Sequence, residues 1–468
     1  MTDLVDALRG VVGPAGLLDL ADGAHLLTDE RGAYTGSAVA IVRPASTAEV
    51  AEVIRGCVAA GAAVVTQGGN TGMAGGATPT VDRPSVLMTL TRMDGIESVD
   101  ADRWSMTVQA GATIQAVQDA AAAVDRQFAP DWGARGSATV GGAIATDAGG
   151  NNVLRYGNMR DNVMGVEVVL ADGRVWNGLR ALRKDSSGYD LKQLFVGSEG
   201  TLGVVTRAVL KLHPATTDEQ SALAALADMD RLMALYALAQ EAAPDMVTAF
   251  ELVPDVGIDR VCEVHGIGRP LDTRADFYVL VRLASNRPVT EPLTEYLARA
   301  EDLGLITDAV VAATPEQEER LWMIRDEQSP SRIFRDHLAP GLKLDVAVPL
   351  DRMGELHARV HAIAAEVVPD ALAYGFGHVG DGNLHMMVLP VGDDHVEAFL
   401  DRKPELEARV DAAVFELGGT LSAEHGIGQV LRGRIAGQKP AIEWEMMRAI
   451  KAAFDPDDVL NPGKVLPD

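Results

Sequence analysis

The stretch "VVTQGGNTGMAGG" (64–76) is the tightest constraint on what this chain can fold into. A short β-branched run feeds directly into a loop in which five of ten residues (67–76) are glycine. Consecutive glycines let backbone N–H groups converge on phosphate oxygens, and Asn70 and Thr71 add side-chain donors. The spacing is not the dinucleotide fingerprint G-x-G-x-x-G, and no Gly-Lys-Ser/Thr follows to make a Walker loop. A second surface of the same kind lies in "SATVGGAIATDAGGNNVLRYG" (137–157). Either loop alone could equally be a set of tight turns. Two in one domain suit a ligand with two phosphates and a ring system.

Around these loops the pattern mixes helices and strands. Residues 48–66 read as an amphipathic helix, a glycine turn and a buried strand. Strands are predicted at 85–90, 104–111 and 202–212, a helix near 113–124, and a hairpin over 166–176 around Asp172-Gly173. The character changes after His213-Pro214. A long helix is expected over 218–242, then strands at 246–253, 276–284 and 343–350. Helices are expected near 291–303, 315–329, 351–367 and 394–417. This alternation predicts an antiparallel sheet with helices on one face, and an α+β class for the whole. The last stretch, "FDPDDVLNPGKVLPD", carries three prolines and reads as a tail laid over a surface.

Charge narrows the partners. The balance of 41 basic and 67 acidic residues gives −26 over 468 residues. Such a surface disfavours nucleic acid and anionic lipid, and an anionic substrate would need local cations. Cys57 and Cys262 are the only cysteines, too few for a disulfide framework, which points to a reducing compartment. No apolar run approaches the roughly 18 residues of a membrane helix. The start "MTDLVDALRG" lacks a basic, apolar leader pattern. The expectation is a soluble cytoplasmic protein.

Chemistry is concentrated in "GFGHVGDGNLHMMV" (375–388). Asp381-Gly382 predicts a two-residue type I′ turn. His378 would then face His385 directly, with Cβ atoms about 5 Å apart. That suits two ligands of one cation, or two polar residues facing solvent. In "SAEHGIGQ" (422–429) Glu424 completes a two-His, one-carboxylate set. Such a set binds Zn²⁺ or a similar ion and leaves a position open. His425 would stand beside the ion as a base. The competing reading makes Glu424 and His425 solvated loop residues.

The segments "VVTQGGNTGMAGG", "ATVGGAIATDAGGNNVLRYGNMRDNVMGVEVVLADG" and "GYDLKQLFVGSEGTLGVVT" resemble the FAD-binding domain of the vanillyl-alcohol-oxidase-type flavoproteins. "GHVGDGNLH", "SAEHGIG" and "DPDDVLNPGK" resemble the branch acting on D-2-hydroxy acids. The likeness runs from Val42-Arg43-Pro44 to the end. It implies an FAD domain (1–215), a substrate and metal domain with an antiparallel sheet covered by helices (216–453), and a C-terminal segment (454–468) returning to the first. It assigns the pyrophosphate to Gln67, Gly68, Gly69, Asn70, Thr71, Gly72 and Met73. The flavin falls to Ser137, Gly141, Gly142, Thr146, Gly149 and Gly150, with Glu199, Val204 and Asn461 also at the cofactor. Gln67 stands where the family often has Arg, and Asp147 where it often has Asn. No His or Cys occupies the positions associated with a covalent link, so non-covalent FAD is expected.

The same resemblance makes His378, His385 and Glu424 metal ligands, with zinc the expected ion, and His425 the catalytic base. Asn383 is a substrate-side donor. Arg325, Ser329 and Lys343 bind substrate carboxylate, and residues 325 and 329 would share a helix face. The implied reaction is hydride transfer from a D-2-hydroxy acid to flavin N5. D-2-hydroxyglutarate is the first choice of substrate, and D-lactate or glycolate the alternative. An electron-transfer flavoprotein is a candidate acceptor and a homodimer a candidate assembly. A zinc hydrolase, with His425 activating water, is the reading from another class, and the two glycine loops speak against it.

Overall fold

The strand Ala63–Gln67, which feeds the first glycine loop, runs parallel to Ser85–Thr89, and that strand runs parallel to Ala40–Val42. Parallel strands are covered on both faces, so these read as nearly continuous apolar runs and are buried almost throughout. The neighbouring helix Thr47–Ala60 starts where the Ser46 side chain accepts from the Glu49 N–H, and stops at Gly61 in the left-handed conformation. The computed structural model describes residues 1–334 and 341–467, and divides into two units.

The first unit comprises Met1–Gly150, Tyr156–Ala215 and the chain from Glu424 onward. Besides the small parallel sheet it holds a five-stranded antiparallel sheet, ordered Ile96–Asp100, Ser105–Gln109, Val204–Lys211, Val163–Val169, Val175–Gly178. The hairpin expected at Asp172-Gly173 is present, with Val169 opposite Val175. The C-terminal segment departs from the sequence reading. It is not draped over a surface: Val459 and Leu460 lie in the core with Val64. The Val64 N–H donates to Val459 O and the Asn461 N–H to Val64 O, each at 2.8 Å. Ala63–Gln67 is an edge strand, and its outer hydrogen-bonding groups need a partner that this apolar pair supplies.

The second unit comprises Asn151–Arg155 and Thr216–Ala423. Its seven strands are all antiparallel, in the order Ile306–Val311, Asp218–Leu226, Phe277–Ser285, Val247–Pro254, Ala371–His378, Asn383–Pro390, Leu342–Ala347. Helices cover both faces, where the sequence pattern suggested one. On one face Tyr374 and Phe376 pack with Leu321 and Trp322 of helix Pro315–Asp326 and Ile258 of helix Asp255–His265. Gly375 points the other way, beneath His357 of helix Met353–Val367. The helix expected over 218–242 is a strand, Asp218–Leu226, followed by a helix, Leu232–Ala242. "SALAAL" favours helix locally, yet it lies buried between two strands, and that pairing overrides a weak propensity. The helices Asp255–His265 and Ala441–Phe454 were not anticipated. Among the described residues, no helix is long and apolar enough to cross a membrane.

His357 makes the second sheet sensitive to acid. Its ring stands edge-on to Phe277, centroids 5.0 Å apart, and 4.2 Å from the ring of His361. Burial, with help from His361, pushes its pKa down to about 4 from 6.5. The unfolded chain therefore binds a proton here that the folded chain refuses. This stability is fully present above the unfolded value and is lost as pH falls toward the folded one. Lowering pH from 7 to 5 should cost about 2 kcal/mol through this group alone. Urea unfolding of His357→Leu across that range should lose that increment of pH dependence; an unchanged slope would refute the assignment.

Candidate functional site

The second sheet gathers its polar residues at one end of the face shared with Tyr374 and Phe376. Four strands contribute. Asp345 pairs with His385, His385 with Phe376, and His378 with Glu251. Side chains two residues apart on a strand share a face, so Lys343 joins Asp345, and His378 joins Phe376. Lys343 is exposed, whereas His378, His385, Asp345 and Glu251 are buried. From the helix Pro315–Asp326 comes Arg325, also buried, its guanidinium 5.6 Å from the Phe376 ring centre.

The hairpin does not close as its Asp-Gly pair suggested. The strands Ala371–His378 and Asn383–Pro390 are joined by a 3-10 turn at Val379–Asp381. Only Gly382 adopts a left-handed conformation, whereas a type I′ turn needs two such residues in succession. His385 therefore stands opposite Phe376, and His378 lies on the diagonal. The face is unchanged because the shift is two residues. The two imidazoles sit 5.5 Å apart, edge to face.

Glu424 reaches the histidines through its covalent neighbours. Residues 420–423 add to the edge strand Leu342–Ala347: Thr420 exchanges backbone hydrogen bonds with Ala347, and the Ala423 N–H donates to Asp345 O at 3.1 Å. Glu424 follows directly. One ligand atom from each of His378, His385 and Glu424 lies within 4.8 Å of the others, the one such group among the described residues. The His425 Nε2 is 3.8 Å from Glu424 Oε1.

The remaining second-unit residues are placed as follows. Both amide hydrogens of Asn383 are used within the sheet, on Asp345 Oδ1 (2.9 Å) and Val346 O (3.0 Å). Ser329 is not on the helix with Arg325. That helix ends at Asp326, and Pro330 holds residue 329 extended, so the shared-face argument from spacing does not apply. Glu251 was missed altogether. Its Oε1 accepts from His378 Nδ1 (2.9 Å) and its Oε2 from Arg325 Nε (2.6 Å). Burial pushes the Glu251 carboxyl up, but Arg325 and His378 outweigh that and hold it well below the usual range. The signal was available: "TAFELVP" puts one charge inside an otherwise apolar strand.

In the first unit the two glycine loops touch. A Cβ on Gly69 would sit 1.9 Å from Ser137 O, and one on Gly68 would sit 2.2 Å from Thr139 Oγ1. Thr146 Oγ1 donates to Gly142 O within the short helix Val140–Thr146. Several expected cofactor residues also hold the loops together. The Gln67 amide donates to Leu26 O and Ala77 O, Asn70 to Thr28 O, and Asn461 to Gly76 O and Glu199 O. Glu199 accepts from the Ile427 and Gly428 N–H groups, fixing the backbone just past His425. Burial pushes the Glu199 carboxyl up, opposed by those two hydrogen bonds and by Lys464. Gln67 Oε1, Thr78 Oγ1 and Asn461 Oδ1 are buried without a hydrogen-bond partner. Buried polar atoms are rarely left so, and two of these three can only accept, which fits a bound molecule rich in N–H and O–H groups.

Residues 216–465 match the family "FAD linked oxidases, C-terminal domain", and residues 38–178 match "FAD binding domain". The mitochondrial D-2-hydroxyglutarate dehydrogenase of Bos taurus is 36% identical over 443 residues, covering 92% of this chain and 77% of that protein. The D-2-hydroxyglutarate dehydrogenase of Xanthomonas citri pv. viticola is 34% identical over 464 residues, covering 98% and 95%. Among solved structures, 4-ethylphenol oxidase from Gulosibacter chungangensis aligns with a TM-score of 0.74 at 19% identity, over 100% of this chain and 97% of that one. Alkyldihydroxyacetonephosphate synthase aligns at 0.73 and 17%, over 99% and 85%. At such identity these two speak for the fold alone.

The contact between the glycine loops can be tested directly. Gly69→Ala forces a methyl group against a backbone oxygen that cannot rotate away. The variant should lose about 2 kcal/mol or more in urea unfolding. Native stability in that variant would mean that the loops do not meet.

Proposed function

The chain belongs to the FAD-linked oxidases, and on that premise we propose that it oxidises D-2-hydroxyglutarate to the 2-oxo acid with the help of a divalent cation, zinc being the ion its donor set suits. The observation that carries this reading is the convergence of His378, His385 and Glu424 within 4.8 Å, on a face that also receives Arg325 and Lys343. Two imidazoles and one carboxylate leave coordination positions for a substrate. The hydrolase alternative falls away, because the FAD-linked family match spans the three ligand residues themselves.

When bound, FAD supplies a hydride acceptor and the cation a Lewis acid toward the substrate hydroxyl. The chain's own residues do the rest on this reading. His425 takes the hydroxyl proton at a ring nitrogen as C2 gives up its hydride. Arg325 and Lys343 hold carboxylate oxygens, and Ser329 adds a neutral donor. Two cationic donors suit the two carboxylates of D-2-hydroxyglutarate better than the one of D-lactate or glycolate. Residues 67–73 hold the pyrophosphate. Ser137, Gly141, Gly142, Thr146, Gly149, Gly150, Glu199, Val204 and Asn461 line the flavin, which is held without a covalent bond. Support comes from the close contact of the two glycine loops at Gly68 and Gly69 with Ser137 and Thr139.

Under anaerobic conditions D-2-hydroxyglutarate should bleach the flavin band, with D-lactate and glycolate much less effective. Equal or faster bleaching by D-lactate would reassign the substrate. Prolonged EDTA dialysis should abolish turnover and leave the flavin bound, with activity restored by Zn²⁺; an EDTA-indifferent enzyme would sink the cation. His425→Asn should slow flavin reduction by about a thousandfold while metal and flavin content stay native.

A further inference from the structure

Glu251 has no part in the reaction as described, yet it is the most deeply buried charge at the site. It stands in the middle of Val247–Pro254, a strand buried at every position, and is itself 1% exposed. An apolar residue would pack there without desolvating a carboxylate, so stability is a weak reason for its presence. We propose that Glu251 is a positioning residue for two ligands at once: its carboxylate sets the tautomer of His378 through Nδ1 and the plane of the Arg325 guanidinium through Nε. The proposal rests on the cation reading given above.

The chemistry follows from the two hydrogen bonds. An ionised carboxylate can only accept, so the proton in the 2.9 Å contact sits on His378 Nδ1. The lone pair is then confined to Nε2, the nitrogen left to face a cation. The Nη2 of Arg325 lies 3.2 Å from Nε2 and 3.5 Å from Nδ1, over the face of the ring and off the in-plane Nε2 lone pair, which stays open toward a cation. The second oxygen of Glu251 takes Arg325 Nε at 2.6 Å, which holds the guanidinium over the Phe376 ring, 5.6 Å from its centre. One side chain thereby orients the proposed metal ligand and the proposed substrate clamp together. The neighbouring imidazole is held differently: His385 Nδ1 is 3.7 Å from Asp345 Oδ1, too long for a direct bond.

The test uses FAD-loaded, metal-loaded enzyme and reads Zn²⁺ affinity by chelator competition. Replacing Glu251 alone leaves a buried arginine uncompensated, so the first comparison is made in an Arg325→Met background. Arg325→Met should bind Zn²⁺ within about threefold of native. Adding Glu251→Met should weaken binding by about ten- to a hundredfold. Adding Glu251→Gln instead, whose carbonyl oxygen still accepts from Nδ1, should restore most of that loss. Equal affinity with and without Glu251→Met overturns the tautomer role. For the arginine role, Glu251→Gln with Arg325 present should raise KM for the hydroxy acid about tenfold at saturating Zn²⁺ with kcat little changed. A lower melting temperature with native KM would make Glu251 structural only. His378→Ala separates the premises: if it retains Zn²⁺, the cation reading itself fails and the proposal with it.

Discussion

Glu251, Arg325 and His378 meet where almost no water reaches, and the buried Glu251 carboxylate is compensated there by the Arg325 guanidinium and the His378 Nδ1–H. The desolvation that makes each charge costly is what makes their mutual attraction strong. A carboxylate with one hydrogen-bond donor on each oxygen has little freedom to turn, and neither have its partners. The polar end of the second sheet is therefore built to a fixed pattern, with Asp345 and His385 continuing it on the adjacent strands. The extension of the edge strand by residues 420–423 matters for the same reason. It delivers Glu424 by backbone hydrogen bonds, which tolerate little slippage.

Glu199 has a comparable place in the first unit. It too is a buried carboxylate, and it is met by two backbone N–H groups and by Lys464. Burial pushes Lys464 down to about 8, against the pull of Glu199 and Asp82. Both carboxylates tie segments far apart in sequence, one joining strand to helix, the other joining loop to loop. Backbone conformation adds to this. Glu199 and Asn461 hold positive φ without being glycine, a cost that persists where surrounding bonds determine the geometry.

Periodicity exposed the elements whose burial is repetitive. The strand Ala63–Gln67, the helix Thr47–Ala60 and the strands flanking the His378 turn all read correctly from apolar pattern and glycine punctuation. It failed where local preference and tertiary demand diverge. "SALAAL" is helical by composition and a strand by its neighbours. The C-terminal prolines suggested a surface tail, but an open strand edge recruited Val459 and Leu460 into the core. The Asp381-Gly382 pair promised a two-residue turn, and a one-turn 3-10 segment took its place.

The candidate site divides along the same line. The sequence by itself determined which side chains were available: two imidazoles on one hairpin, a carboxylate beside a third histidine, two glycine-rich loops, and a net charge of −26. Residue type, and for His378 and His385 close spacing, need no fold to be read. Only the tertiary structure decided the partners. Glu251 lies 74 residues from Arg325 and 127 from His378, and no local rule relates positions so far apart. Strand register and helix packing brought them within hydrogen-bond reach, because a buried charge is stable only where the fold supplies its counterpart.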